Sequence, residues 1–198
     1  MKILQPDVDR KNLIDFYLRT DNEKKNKTMP ADYGSLNWND PNALDRWLQQ
    51  HGYKSGILSG YKRWAHVQLS KDDLMDTAIA NHIFIGQPQR LGDLVDTESF
   101  QKWAPPQKPY RSWYEPLSRG ENPKDLEIIL RPAVSSEGSK YYVEDGSGRS
   151  ICYLRSIHNF RLDSEMCAYI GTEPDPQSIF MQQRPELLKH ALRPSDLK

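Results

Sequence analysis

The chain is poor in cysteine. Only Cys152 and Cys167 occur in 198 residues, and neither belongs to a Cys-x-x-Cys pair. A disulfide-stapled secreted scaffold is excluded at that density, and a structural zinc site has no ligand spacing to use. The sequence also lacks a long apolar run. No stretch approaches the ~18 consecutive apolar residues that a membrane span needs. Residues Met1 to Pro6 are too short and too soon interrupted to read as a secretory signal. Net charge of either sign is missing as well: 27 basic residues balance 27 acidic ones. A uniformly basic nucleic-acid coat and an acidic solvating tail are both ruled out, so any polyanion site must be a local patch. Apolar residues make up 37% and mean hydropathy is -0.80, which leaves a core but not one built from every segment. The expected compartment is reducing and cytoplasmic, and the sequon Asn26-Lys27-Thr28 is then a chance match.

What is present reads as α+β. Residues 1–61 look like a helical extension, with an amphipathic helix over 7–19 and a basic, apolar-poor loop from Asp21 to Pro30. A second helix starts at Pro41, capped by Asp40 and stopped by Gly52. Residues 62–198 carry the main domain. Trp64 to Leu69 alternates as a strand. Ser70 and Asp73 form a capping-box variant before a helix expected to reach Asn81, and His82 to Ile85 suggests a short strand. Residues 86–123 are proline-rich and irregular, an insertion in which Trp103, Tyr110, Arg111, Trp113, Tyr114 and Arg119 interleave. Two readings stand: a loop pinned down by its aromatics, or a stacking surface for single-stranded nucleic acid. Asp125–Arg131 and Lys140–Glu144 read as strands, Ser150–Asn159 as a helix and Met166–Ile170 as a strand. A last helix from Ile179 is broken at Pro185.

The chemistry concentrates where the strand over 140–144 runs into Asp145-Gly146-Ser147-Gly148-Arg149 and then a helix. Glycines let the backbone turn sharply and approach a ligand. The helix start offers unpaired N–H groups and a partial positive charge, which together suit phosphate. Arg149 adds a permanently charged planar fork, and Ser147 one more donor. Glu144 and Asp145 repel phosphate directly. They make sense as Mg²⁺ ligands, as activators of water, or as partners of the arginine. Adjacent strand residues face opposite sides, which favours Glu144 as catalytic and metal-binding and Asp145 as turn former. The bland alternative is an ordinary helix start capped by Asp145. The five histidines, His51, His66, His82, His158 and His190, are scattered and read as surface or packing residues, and the cysteines as buried apolar ones.

The segment KYYVEDGSGRSICYL resembles the signature of the ParB/sulfiredoxin superfamily, in which a strand leads into Gly-x-x-Arg at a helix start. WAHVQLSKDDL is similar to that family's opening strand and helix, and LEIIL to the strand before the signature. The resemblance covers residues 62–160, with 86–123 as an insertion. It implies a ParB/sulfiredoxin-like core of a small mixed sheet flanked by helices, with ATP phosphate held at Gly146, Ser147, Gly148 and Arg149. The sulfiredoxin nucleophile is missing, because Ser147-Gly148-Arg149 stands where Cys-His-Arg is needed. Partition-type members carry Gly-Glu-Arg-Arg and a following DNA-binding domain, for which about 40 residues leave no room. Length and overall sequence look most like the oncogenic-suppression and fertility-inhibition proteins of conjugative plasmids, the Osa family. That likeness implies a metal-dependent ATPase and DNase that blocks DNA transfer through a type IV secretion system. It places the protein in the cytoplasm or peripherally at the inner membrane.

Three functions follow as expectations. The first is a hydrolase using ATP and Mg²⁺, with Glu144, Asp145 and Arg149 catalytic. Conjugative single-stranded or T-DNA-like DNA would pass Arg111, Trp113, Lys140 and Arg155. Residues 100–161 hold ten basic and seven acidic residues, so that DNA contact should be weak and salt-dependent. The second is a non-catalytic inhibitor that grips a secretion or coupling protein through its aromatic insertion. The third is a small-molecule kinase of the same fold.

Overall fold

The computed structural model describes residues 1–53, 56–87, 89–103, 115–117, 119–121, 127–160, 166–192 and 196. Six strands form one mixed sheet. They are β1 (Lys2–Asp9), β2 (Tyr61–Leu69), β3 (Thr77–Ala78), β4 (Ile128–Pro132), β5 (Tyr141–Asp145) and β6 (Met166–Pro174), in the order β1-β2-β6-β4-β5-β3. Three pairings are antiparallel: β1 with β2, β2 with β6, and β4 with β5. The contacts β4–β6 and β5–β3 are parallel. The α+β class expected from the sequence is therefore observed.

Side chains alternate across a strand, so the sheet builds two apolar layers. Ala65, Val67 and Leu69 of β2, Ile128 and Leu130 of β4, and Met166, Ala168 and Ile170 of β6 face one side. They pack there with Ile151 and Leu154 of the long helix α7 (Ser147–Phe160). Trp64 and Ile129 face the other side. That layer is closed by Leu13, Ile14 and Leu18 of α1 (Arg10–Lys25), Leu44 and Leu48 of α2 (Pro41–Gln50), Leu58 of α3 (Gly56–Gly60), and Phe180 of α8 (Ile179–Gln182).

Several local expectations hold. Asp40 Oδ1 accepts from the N–H groups of Asn42 and Ala43, with Pro41 opening α2. Ser70 and Asp73 form the reciprocal capping box of α4 (Lys71–Met75). β4 and β5 make a hairpin around a 3₁₀ turn at Ser135–Glu137.

Others need correction. Residues 2–9 form an edge strand, and the helix expected over 7–19 runs from Arg10 to Lys25. Pro6 and two register breaks spoil the alternation of β1, which is why its pattern is weak; proline is tolerated at such an edge. The basic stretch from Asp21 is helical to Lys25. Asn26 then turns left-handed at φ +52, and the Lys27 N–H reaches the Asn22 carbonyl. α4 stops at Met75, not Asn81, because Thr77–Ala78 pairs with Tyr141–Tyr142. Residues 82–85 form turns rather than a strand. The insertion is not merely irregular. α5 (Leu91–Leu94) and α6 (Glu98–Lys102) lie in it, and Leu91, Leu94, Phe100 and Leu117 are fully buried.

Candidate functional site

β5 delivers the chain into a bend that only glycine accommodates. Gly146 has φ +97, and a Cβ there would sit 2.6 Å from Ile128 Cγ2 and 2.9 Å from Arg149 Nε. The Gly146 carbonyl accepts from the Ser150 N–H at 2.8 Å and from Ser150 Oγ at 3.1 Å, which starts α7. Ser147, Gly148 and Arg149 are thus the first three helical positions, whose N–H groups have no acceptor within the helix. They open into a cleft of about 450 Å³ that Ala80, His82 and Ile83 also line. The sequence signal and the cleft coincide.

The charged side chains near the bend divide between the two faces of the sheet. Asp145 stays with Arg149: Arg149 Nη2 lies 2.5 Å from Asp145 Oδ2, and Arg149 is only 1% exposed. Glu144 is on the opposite face. Its Oε1 accepts from Arg131 Nε at 2.6 Å. Arg131 also donates to both carboxylate oxygens of Glu137, at 2.7 and 2.8 Å, and lies over the Tyr142 ring at 4.1 Å. Burial opposes the Arg131 charge, but Glu137 and Glu144 raise its pKa above the ordinary arginine value. Burial likewise pushes the Tyr61 hydroxyl up, in the field of the same cluster. Glu144 and Asp145 both line the cleft, Glu144 with its Oε1 held by Arg131 and Asp145 with its Oδ2 held by Arg149. That donor set fits a Mg²⁺ ion carried in on a nucleotide, which needs one or two carboxylates with phosphate oxygens and water. Among the described residues no group of three His, Cys, Asp or Glu side chains is placed to hold a resident ion.

Of the residues assigned to nucleic acid, the two described ones, Lys140 and Arg155, do not lie at the bend. Arg111 and Trp113 lie outside the described residues. Lys140 is exposed at the far start of β5, about 20 Å from Gly146 by the strand rise, with Nζ 5.3 Å from the Tyr141 ring centroid. Arg155 is buried, and its Nη1 donates to the Trp103 carbonyl at 2.5 Å. It ties the insertion to α7 instead of facing a phosphate backbone. One cleft residue escapes sequence reasoning. His82 carries no motif and no spacing, and only the turn after β3 brings it to the cleft.

No family model matches this chain, and neither does a curated protein or a solved structure.

Proposed function

We propose that this chain is a nucleotide hydrolase whose phosphate site is the start of α7. The reading supported best is an ATPase and DNase of the ParB/sulfiredoxin superfamily, acting as an Osa-like fertility-inhibition factor against type IV secretion of DNA. One observation carries it: a left-handed glycine bend aims the positive end of a 14-residue helix into an open cleft.

Each cleft group then has a task. The N–H groups of Ser147 and Gly148 donate to phosphate oxygens. Asp145 would hold a Mg²⁺ ion that arrives with the nucleotide, and the ion would offset phosphate charge. The Arg149 guanidinium donates, in competition with Asp145, to the charge that develops on the phosphoryl group as it passes to water. His82 supplies the cleft's imidazole for a proton from water. Glu144, expected from the sequence to be catalytic and to bind metal, lines the same cleft and would first have to part from Arg131. Lys140 remains available for a weak, salt-dependent contact with DNA. Residence in the cytoplasm, or at the periphery of the inner membrane, belongs to the same proposal. Among the described residues no helix is long and apolar enough to cross a membrane.

A second reading, the non-catalytic inhibitor of a secretion or coupling protein, is favoured by the burial of Arg149 and its i,i+4 pairing with Asp145, as a purely structural arginine would show. Phosphate release from Mg²⁺–ATP and degradation of linear DNA separate the two. Hydrolysis that drops at least tenfold in Ser147→Asp, with thermal stability kept, supports the hydrolase. No release by wild-type protein, with partner binding intact, establishes the inhibitor.

A further inference from the structure

Cys167, His66 and Glu127 converge on the sheet face that carries Trp64 and Ile129, away from the cleft. β2 and β6 pair so that Gln68 lies beside Cys167 and His66 beside Tyr169. His66 and Cys167 are therefore diagonal neighbours on one face, within side-chain reach. His66 Nε2 lies 3.0 Å from Glu127 Oε1, with the two side chains 21% and 23% exposed, and its ring stacks on Tyr169 at 4.6 Å. The imidazole thus stands between a thiol and a carboxylate, and the aromatic stack fixes its plane. Cys152 differs on every point: it is fully buried in the α7 layer, and burial drives its thiol up to about 12.

We propose that Cys167 is a reactive thiol, held by His66 and Glu127 for exchange with low-molecular-weight disulfides. His66 holds the proton that it shares with Cys167, so that the sulfur faces the imidazolium as a thiolate. The Cys167 sulfur then attacks one sulfur of R–S–S–R, forming a Cys167–S–S–R mixed disulfide and breaking the original S–S bond. The departing RS⁻ takes the proton back from the imidazolium and leaves as RSH. The sum is Cys167–SH plus RSSR giving Cys167–SSR plus RSH, with no other oxidant or reductant. The thiolate, not the thiol, is the nucleophile, so a cation beside the sulfur sets the rate at neutral pH. The Cys167 sulfur and then Glu127 raise the His66 pKa to about 9, against partial burial, which keeps the ring protonated when the thiolate forms. Gln68 on β2 lies beside Cys167, Tyr169 on β6 stacks on the imidazole, and the charge of Arg19 on α1 acts on Tyr169. An accessible thiol outside the clefts suits a small disulfide, which needs access and a thiolate more than a shaped pocket.

The test uses the full chain, folded, with oxidised glutathione as the probe and intact-mass detection. Wild type should gain one glutathione at Cys167 at pH 7, and Cys167→Ser should gain none. His66→Gln should react at least tenfold more slowly and recover only as pH rises toward the ordinary thiol range near 8.5. Glu127→Gln should fall between the two. Unfolded protein labels both cysteines, so a variant that fails to fold announces itself by labelling Cys152. Equal rates in wild type and in folded His66→Gln and Glu127→Gln, or no adduct on wild type, would overturn the proposal.

Discussion

Two arginines flank β5, and their surroundings differ in kind. Arg131 is clasped by Glu137 and Glu144 and covered by Tyr142. Arg149 pairs with Asp145 beneath a glycine bend, next to a cleft and a helix start. Both are buried ion pairs, and burial of a pair is by itself weak evidence for stability or for function. The neighbourhood decides. At Arg131 two carboxylates answer one guanidinium, so the cluster ties the hairpin together. At Arg149 the backbone adds N–H donors and empty space, which invites an anion. The sequence motif points to the second arginine, and nothing in it warns that Glu144 belongs to the first.

That contrast can be broken or sharpened by substitution. Arg131→Met leaves Glu137 and Glu144 without their cation and should cost about 3–5 kcal/mol in denaturant unfolding, while nucleotide binding by the folded fraction persists. Loss of binding with full stability would reverse the two roles. Gly146→Ala forces a side chain into φ +97 and against Ile128, at a cost of about 1–3 kcal/mol, and it should also weaken binding. A neutral effect on melting would mean that the bend relaxes freely. On the layer that Arg131 shares, His66 gives a pH signature. Its folded pKa of about 9 exceeds the unfolded 6.5, so its stabilisation is complete below pH 6.5 and lost as pH rises through 9. Melting of wild type against His66→Gln should converge over that window, from a gap on the order of 2 kcal/mol. A constant gap contradicts the assignment. The smallest effect is Asp40→Ala, about 1 kcal/mol from the lost cap of α2, with hydrolysis untouched.

The parts of the fold legible in sequence are those fixed by short-range rules. Asp40-Pro41, the Ser70–Asp73 box, the alternation in β2 and the glycine bend each carry their reason within a few residues. The illegible parts depend on distant partners. β1 is a strand because β2 offers it an edge, and Pro6 hides the pattern. Thr77–Ala78 leaves the helix because Tyr141 and Tyr142 supply a ladder. Leu91, Leu94 and Phe100 look like loop residues until the α7 layer buries them. At the site, strand alternation correctly separates Glu144 from Asp145. Both line the cleft, and only the structure shows that Arg131, thirteen residues away, also holds Glu144. His82 enters the same way, through the turn after β3.

Calorimetric titration of a non-hydrolysable Mg²⁺–ATP analogue into wild type and Ser147→Asp tests the central claim most directly. An aspartate at the first turn of α7 suits the helix end, with a gain of about 0.5 kcal/mol, yet it sets a negative charge where phosphate should sit. The account predicts saturable binding by wild type and at least a tenfold loss in an equally stable Ser147→Asp. Heats that match in the two proteins, or no heat from wild type, would contradict it.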